Sequence, residues 1–379
     1  MRGPLSNGRP ARPQIFPTAK VTGVVRGEPH KYRRHALSVC HCTQNHGKSD
    51  MATANGTANG VTNGATKPET QVLVVGGGPV GTFTTLRLAR AGIKVLLLEA
   101  DEVPSSAPRA AVYMGPSVFE LQRAGILDDV RALGLQNSDV CWRKANGEII
   151  AGVKREVETN DPLNPVTLDQ FRLETVILKH LEAYPNAKIL WGHKVTALQQ
   201  FDDRVKVVAE TLKGETVHFE AQYVVGADGG KSTVRKLIDV KFEGFTWPFT
   251  VGIYTYLTHI YLILVATNVY YPFRENGFWS AQFIVDPEHW ALLCHLDSTG
   301  LWRVSYGEKE GLTAEECMER LPAKFEALFP GPKPVKGKYE VKSMSPYRIH
   351  QRCADTFCKG RVVLAGDAAH LCNPFGGIS

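Results

Sequence analysis

Residues 71–101 read QVLVVGGGPVGTFTTLRLARAGIKVLLLEAD, and the fold turns on how this stretch divides. Gln71 to Val75 is an apolar, β-branched run suited to a strand buried on both faces. Val80 to Ala91 places Leu86, Leu88 and Ala89 at helical spacing, and Gly92 ends that helix. Lys94 to Leu98 is a second apolar strand. The unit is strand, turn, helix, strand, which implies a parallel pair joined by a right-handed crossover. In the turn, Gly76, Gly78 and Gly81 match G-x-G-x-x-G. The first glycine allows the tight turn, the second lets a pyrophosphate approach the backbone, and the third permits close helix–strand packing. Glu99 ends the second strand about 20 residues on, where a carboxylate accepts hydrogen bonds from a ribose hydroxyl and disfavours a 2′-phosphate. The stretch predicts an adenine-dinucleotide site without distinguishing FAD from NAD.

Two later segments narrow the choice. AQYVVGADGGKSTVRKLI, residues 221–238, runs from an apolar strand into Asp228-Gly229 and then a helix that Ser232 or Thr233 can cap, with Arg235 inside it. GRVVLAGDAAH, residues 360–370, repeats the logic, the strand Val362 to Ala365 delivering Gly366-Asp367 to a short helix. Each acid stands at a strand's C-terminal end, where open α/β sheets bind ligands. Each also reads as an Asp that only caps a helix.

Together with the opening fingerprint, these motifs resemble the class A flavoprotein monooxygenases of the p-hydroxybenzoate hydroxylase and phenol hydroxylase type, over roughly residues 70–379. The resemblance implies an α/β fold, with a Rossmann-like FAD-binding domain interleaved with a β-rich substrate domain. The FAD domain is expected over 69–147, 166–240 and 345–379, the substrate domain over 148–165 and 241–344, and a low-complexity extension over 1–68. By the same resemblance Glu99 binds the FAD adenosine ribose, Asp367 the ribityl or pyrophosphate region, and Asp228 with Gly229 and Arg235 sits near the pyrophosphate. PRAAVYMGPSVFELQRAGILDDV looks like the family's Arg-bearing loop and makes Arg109 a cofactor contact. LDQFRLETVILKHL looks like its Gln-x-x-Leu-Glu helix and makes Gln170 a partner of the flavin side chain. Solvated surface positions are the alternative reading for Arg109 and Gln170. Pro374, Gly376 and Gly377 belong to a turn that in family members leads into a helix facing the flavin pyrimidine, so Ser379 is expected to stand inside the flavin cradle. The implied chemistry is aromatic hydroxylation: NADH or NADPH reduces FAD, O₂ adds as a C4a-hydroperoxide, and oxygen passes to a small phenol-like ring. No individual catalytic residue is singled out. The rivals are an NAD-dependent dehydrogenase and a truncated, catalytically incompetent flavoprotein.

From Val240 to Arg348 the pattern shifts to β-branched and aromatic runs such as FWSAQFIV and LWRVSYG, which predict a mixed or antiparallel sheet over the flavin. Phe278, Trp279, Gln282 and His295 are candidates for an aromatic pocket there, although a sheet's inner face is mostly core. Phe249 to Phe273 contains no Asp, Glu, Lys or Arg, yet its Thr, Tyr, His259 and Asn268 favour a strand or irregular insert over a membrane span. Phe249 to Leu264 reads as an insert, a translated intron being the simplest source.

A content of 43% hydrophobic and 22% charged residues is globular and excludes a fibrous or wholly disordered chain. The net charge of +6 sits in residues 1–50, which carry nine Lys and Arg against Glu28 and Asp50. The rest of the chain is close to neutral, which removes the basic face a nucleic-acid partner would need. The eight cysteines contain no CxxC pair and read as reduced thiols of an intracellular protein. Cys40, His41, Cys42 and His46 fit no common zinc spacing, so no metal is expected. Met51 opens a repetitive Asn-Gly-Thr-Ala stretch and reads as the true start, which predicts a cytoplasmic protein with a mitochondrial leader as the lesser alternative. A homo-oligomer is compatible with the sequence.

Overall fold

The computed structural model describes residues 70–136, 139–154, 163–246, 262–309 and 311–372. The expectations for the extension, for Met51, for the cysteine–histidine cluster, for most of the insert and for Pro374, Gly376 and Gly377 lie outside the described residues.

The opening unit forms as its residue pattern requires. Thr70–Val75 is a strand, Pro79–Arg90 the crossover helix and Val95–Leu98 the next strand, with Gly92 at φ +79° closing the helix. The two strands are parallel and lie inside an eight-stranded sheet. Five parallel strands run in the order Val362–Leu364, Thr216–Gly226, Thr70–Val75, Val95–Leu98 and Ala187–Leu190. Their register pairs Leu364 with Gly226, Gly226 with Val75, Val75 with Leu98, and Leu98 with Leu190. All five C-terminal ends are therefore level, and the Gly, Asp-Gly and Gly-Asp turns and Glu99 emerge along one edge. That edge is where ligands bind in this architecture.

Apolar side chains close both faces of the sheet. Leu86 and Ala89 of the crossover helix pack with Leu173, Val176 and Ile177 of the Gln170–Leu181 helix. On the opposite face Leu73, Val75, Leu98 and Val224 pack with Val234 and Ile238. Truncating a fully buried leucine such as Leu86 to Ala costs about 2–5 kcal/mol at such positions.

The β-rich part is a seven-stranded sheet in the order Glu340–Tyr347, Leu262–Tyr270, Leu301–Lys309, Ala291–His295, Ala281–Ile284, Asp139–Arg143 and Ile149–Lys154. Asp139–Arg143, placed by the sequence reading in the first FAD segment, pairs in parallel with Ala281–Ile284 of this sheet. Leu262 to Leu264, assigned to the insert, are paired with Lys309, Glu308 and Gly307 in mid-sheet. One face of the sheet, with Val265, Trp302, Val304 and Tyr306, is sealed by Phe325 and Leu328 of the Ala314–Leu328 helix. A capping box between Thr313 and Glu316 starts that helix. The other face, with Asn268, Arg303 and Ser305, turns towards the first domain. A small third sheet pairs Phe242–Thr246 with His350–Ala354 and His350–Ala354 with His370–Leu371.

The tightest contact in the first unit is at Gly81, where an added Cβ would lie 1.8 Å from the carbonyl oxygen of Gly76. At Gly78 an added Cβ meets nothing within 4 Å. Gly81→Ala is expected to lower the melting temperature by several degrees or to prevent folding, whereas Gly78→Ala leaves it nearly unchanged; thermal melts of both variants check this.

Candidate cofactor site

The three fingerprint glycines divide their work by geometry. Gly76, at φ +107°, presses the turn against the Asp-Gly loop so closely that a Cβ would lie 2.4 Å from the Ala227 oxygen. Gly81 lets the helix approach the turn. Gly78 is the helix N-cap, has no side chain to cap with, and faces open space. The first helical turn holds no acid, and its unpaired amides favour an anion. An open cradle at Gly78, walled by close backbone contacts at Gly76 and Gly81, fits the pyrophosphate of a dinucleotide.

Glu99 folds back onto this turn. Its Oε2 accepts a hydrogen bond from the Gly77 amide and its Oε1 accepts one from Asp101 N at 2.9 Å. Behind it lies Glu174, only 2% exposed on the Gln170–Leu181 helix. Burial, and secondarily the Glu99 carboxylate, push the Glu174 carboxyl up to about 7.

The Asp-Gly and Gly-Asp motifs do different things. Asp228 Oδ1 accepts from Ser232 Oγ at 2.5 Å, while Oδ2 accepts from Thr233 N at 2.7 Å and Val234 N at 3.0 Å. Ser232 in turn caps Arg235 N at 2.9 Å. Asp228 therefore fills the helix-capping role that the sequence left open. Arg235 is a clasp: it donates to the Ala368 and Gly230 carbonyls at 2.8 Å each and lies over the Phe242 ring at 3.7 Å. Gly229 sits at φ +76° with open space where a Cβ would be. Gly366, at φ +59°, abuts the first turn of the fingerprint helix, where a Cβ would lie 2.8 Å from Val80 Cγ2. Asp367 caps nothing, because the N-cap of its turn is Ala365. Its side chain is exposed at the cleft, and the protein around it still pushes its carboxyl upward, with His370 and Arg109 opposing.

Arg109 acts electrostatically on Asp367, and Arg303 ties the Arg109 backbone to Asp169, the residue before Gln170. Arg109 is exposed, and its carbonyl accepts a hydrogen bond from Arg303 Nη1. Gln170 opens its helix behind the N-cap Asp169, whose Oδ1 accepts from Phe171 N at 3.0 Å. Asp169 Oδ2 accepts from Asn268 Nδ2 at 3.1 Å and pairs with Arg303 Nη2 at 3.3 Å. Arg303 Nε donates to Asn268 Oδ1 at 2.6 Å. Burial pushes the nearby Tyr347 phenol up to about 12, with Arg303 and Arg109 opposing. The sequence reading missed Asp169, Asn268, Arg303 and Glu174 as members of this region. The available signals were a cap residue before Gln170, and an arginine within the apolar run LWRVSYG.

The four aromatic-pocket candidates point elsewhere. Phe278 is core on the helix-covered face, Gln282 pairs with Leu293 of that face, and His295 stacks on Trp302 at 4.7 Å. Trp279 packs across Gly152 near the sheet edge. On the face that carries Arg303 and Asn268, one row runs Trp142, Phe283, Leu292, Ser305 and Ala266, paired residue to residue across five strands. Trp142 and Phe283 stack at 5.2 Å and 9°.

A family model for an FAD binding domain matches residues 69–378. The chain belongs to the FAD binding domain family. It is 43% identical over 309 residues to para-nitrophenol 4-monooxygenase of Pseudomonas sp. strain WBC-3, covering 81% of this chain and 73% of that relative. It is 37% identical over 316 residues to 6-hydroxy-3-succinoylpyridine 3-monooxygenase of Pseudomonas putida, covering 81% and 75%. Among solved structures, p-nitrophenol 4-monooxygenase from Pseudomonas putida superposes with a TM-score of 0.73 at 43% identity, covering 81% of this chain and 75% of that one. FAD is the cofactor of this family, the class A monooxygenase resemblance holds, and the NAD-dependent dehydrogenase falls away. Among the described residues no helix is long and apolar enough to cross a membrane.

Glu174 provides a pH test. Its carboxyl is raised in the folded protein, so below the usual carboxylate range both states are protonated and burial is tolerated. As pH rises towards 7 the unfolded chain ionises first, and the folded state loses stability up to about pH 7 and stays lowered above it. Glu174→Gln is expected to raise the melting temperature by several degrees at pH 8 and much less at pH 5, read from melts at both pH values.

Proposed function

We propose that this FAD-dependent monooxygenase hydroxylates a small phenol-type ring at the expense of NADH or NADPH and O₂, with 4-nitrophenol the first substrate to test. The observation that carries this reading is that the sheet face bearing the stacked Trp142–Phe283 pair is the one tied to the first domain, which holds the open cradle at Gly78, through Arg303. The 43% identity to a para-nitrophenol 4-monooxygenase supports the ring class.

Once reduced, FAD supplies the activation of O₂. The chain's own residues bind, orient and dry the site. The amides following Gly78 hold the pyrophosphate and Glu99 takes the adenosine ribose. Asp367, with a carboxylate not used as a cap, accepts from cofactor hydroxyls, while Arg109 and Gln170 approach the flavin end. Trp142 and Phe283 offer flat apolar surface to an aromatic ring. Leu292 and Ala266 exclude water from it. The FAD-binding domain comprises the eight-stranded sheet with its helices, and the substrate domain the seven-stranded sheet, including 139–154. A cytoplasmic location suits a reaction that consumes NAD(P)H.

Three measurements test the reading. Purified protein is expected to absorb near 450 nm, to oxidise NADH or NADPH faster when 4-nitrophenol is added, and to yield a hydroxylated product by mass spectrometry. Bound flavin without any phenol-stimulated NAD(P)H oxidation sinks the hydroxylase reading. Gly78→Val is expected to fold and lose FAD, because its side chain fills the cradle. Asp367→Asn is expected to weaken FAD binding roughly 10-fold to 150-fold, the equivalent of about 1.5–3 kcal/mol for a charge-assisted bond. Its apo melting temperature is expected not to fall, since Asp367 accepts no hydrogen bond among the described residues and its carboxyl is already pushed upward by burial.

A further inference from the structure

A guanidinium in the middle of a β-sheet demands an explanation. Arg303 lies on Leu301–Lys309, a strand whose first eight residues are all buried, and it is only 7% exposed. Removing such a charge from water costs several kcal/mol before any partner is counted, and an apolar residue of similar volume often gives equal or greater stability. The arrangement therefore needs a reason other than stability.

The partners supply one. Arg303 Nε donates to Asn268, its register neighbour on the adjacent strand, at 2.6 Å. Its Nη2 reaches Asp169, 134 residues away in sequence, and its Nη1 reaches the Arg109 carbonyl, 194 residues away. Neither distant anchor belongs to the seven-stranded sheet. Asp169 caps the helix that begins at Gln170, and the other anchor is the backbone of Arg109 itself. The guanidinium fork is rigid and directional, so it fixes positions as well as charge. Ser305, two residues along the same face, lies opposite Leu292, whose other neighbour is Phe283. The residue that holds the Arg109 loop and the Gln170 helix thus stands on the surface proposed to carry the ring.

We infer that Arg303 is a positioning residue: from the substrate sheet it sets the placement of the Arg109 loop and the Gln170 helix start, and so the register between bound ring and flavin. This rests on the assignment of Arg109 and Gln170 to the flavin cleft. Its function is alignment, with Asp169 as the neutralising partner and Asn268 holding both. Reacting atoms misplaced by about 1 Å can lose a hundredfold in rate, which gives such a device its value.

The test separates alignment from stability. Arg303→Met leaves Asp169 buried without its cation and is expected to lower the melting temperature. Adding Asp169→Asn removes the stranded charge and keeps the helix cap, because Asn caps about as well as Asp. The double variant is expected to recover most of the melting temperature while FAD binding stays about 10-fold or more weaker, the scale of one lost charge-assisted contact. Its flavin absorption band near 450 nm should be shifted, and a larger share of consumed NAD(P)H should yield no hydroxylated 4-nitrophenol product. A double variant with wild-type FAD affinity, spectrum and coupling overturns the inference and makes Arg303 a structural ion pair only. Should the double variant fail to fold, Arg303→Lys decides: a shifted spectrum or weakened FAD binding supports alignment, and wild-type values for both overturn it. Spectrum and affinity need no turnover, so an inactive but FAD-binding protein still tests this inference while the hydroxylase reading fails separately. A wild-type protein that binds no FAD overturns both.

Discussion

The hydrogen atom that serves as the side chain of Gly81 is the constraint from which the site follows. With a Cβ there, the fingerprint helix would collide with the Gly76 carbonyl at 1.8 Å. Without it, the helix lies down on the turn and its amides point out over the sheet edge. Gly76 then brings the same turn against Ala227, and Gly366 rests on Val80 of the same helix. Three segments far apart in sequence touch around one helix end, each through a glycine. The cleft is shaped chiefly by backbone in close contact and only afterwards furnished by side chains.

The polar side chains show a division of labour. Asp228 and Arg235 both turn inward, one capping a helix and the other stitching the Ala368 and Gly230 carbonyls together. Asp367 and Arg109 turn outward and share an electrostatic field. Glu99 does both, bracing Gly77 and Asp101 at the strand end where a ribose would lie. Arg235, removed from water, finds two carbonyl partners, as a buried polar group generally must. The exposed ones are those with an unsatisfied use.

Much of the first domain was legible because its signals are local. β-branched runs, a helical repeat of small and apolar residues and three glycines at fixed spacing are consequences of one strand–turn–helix, and all three are present in the folded chain. One helix start was legible for the same reason: Ser232 caps where a short polar residue precedes an apolar repeat. Two kinds of information were not local. Alternation along Ala281–Ile284 tells which residues share a face but not which face meets the cofactor, and so Gln282 and His295 were put forward in place of Phe283 and Leu292. The partners of Arg303 lie more than a hundred residues away, and no spacing rule reaches that far. The sheet that Asp139–Arg143 joins was hidden likewise, since only pairing with Ala281–Ile284 reveals it.

The strand Val362–Leu364 has only three residues, yet it delivers Gly366 and Asp367 and receives the clasp of Arg235 through Ala368. It is synthesised some 290 residues after the fingerprint strand and joins the sheet beside Thr216–Gly226. A ribosome-bound chain can thus form its glycine turn early while the far wall of the cleft is still missing. Cofactor capture becomes a late event in biogenesis, gated by the docking of one short strand, and FAD that binds only the docked state holds that strand in place by mass action. Flavin supply in the cell then bears on how much of the protein matures, not only on how fast it works.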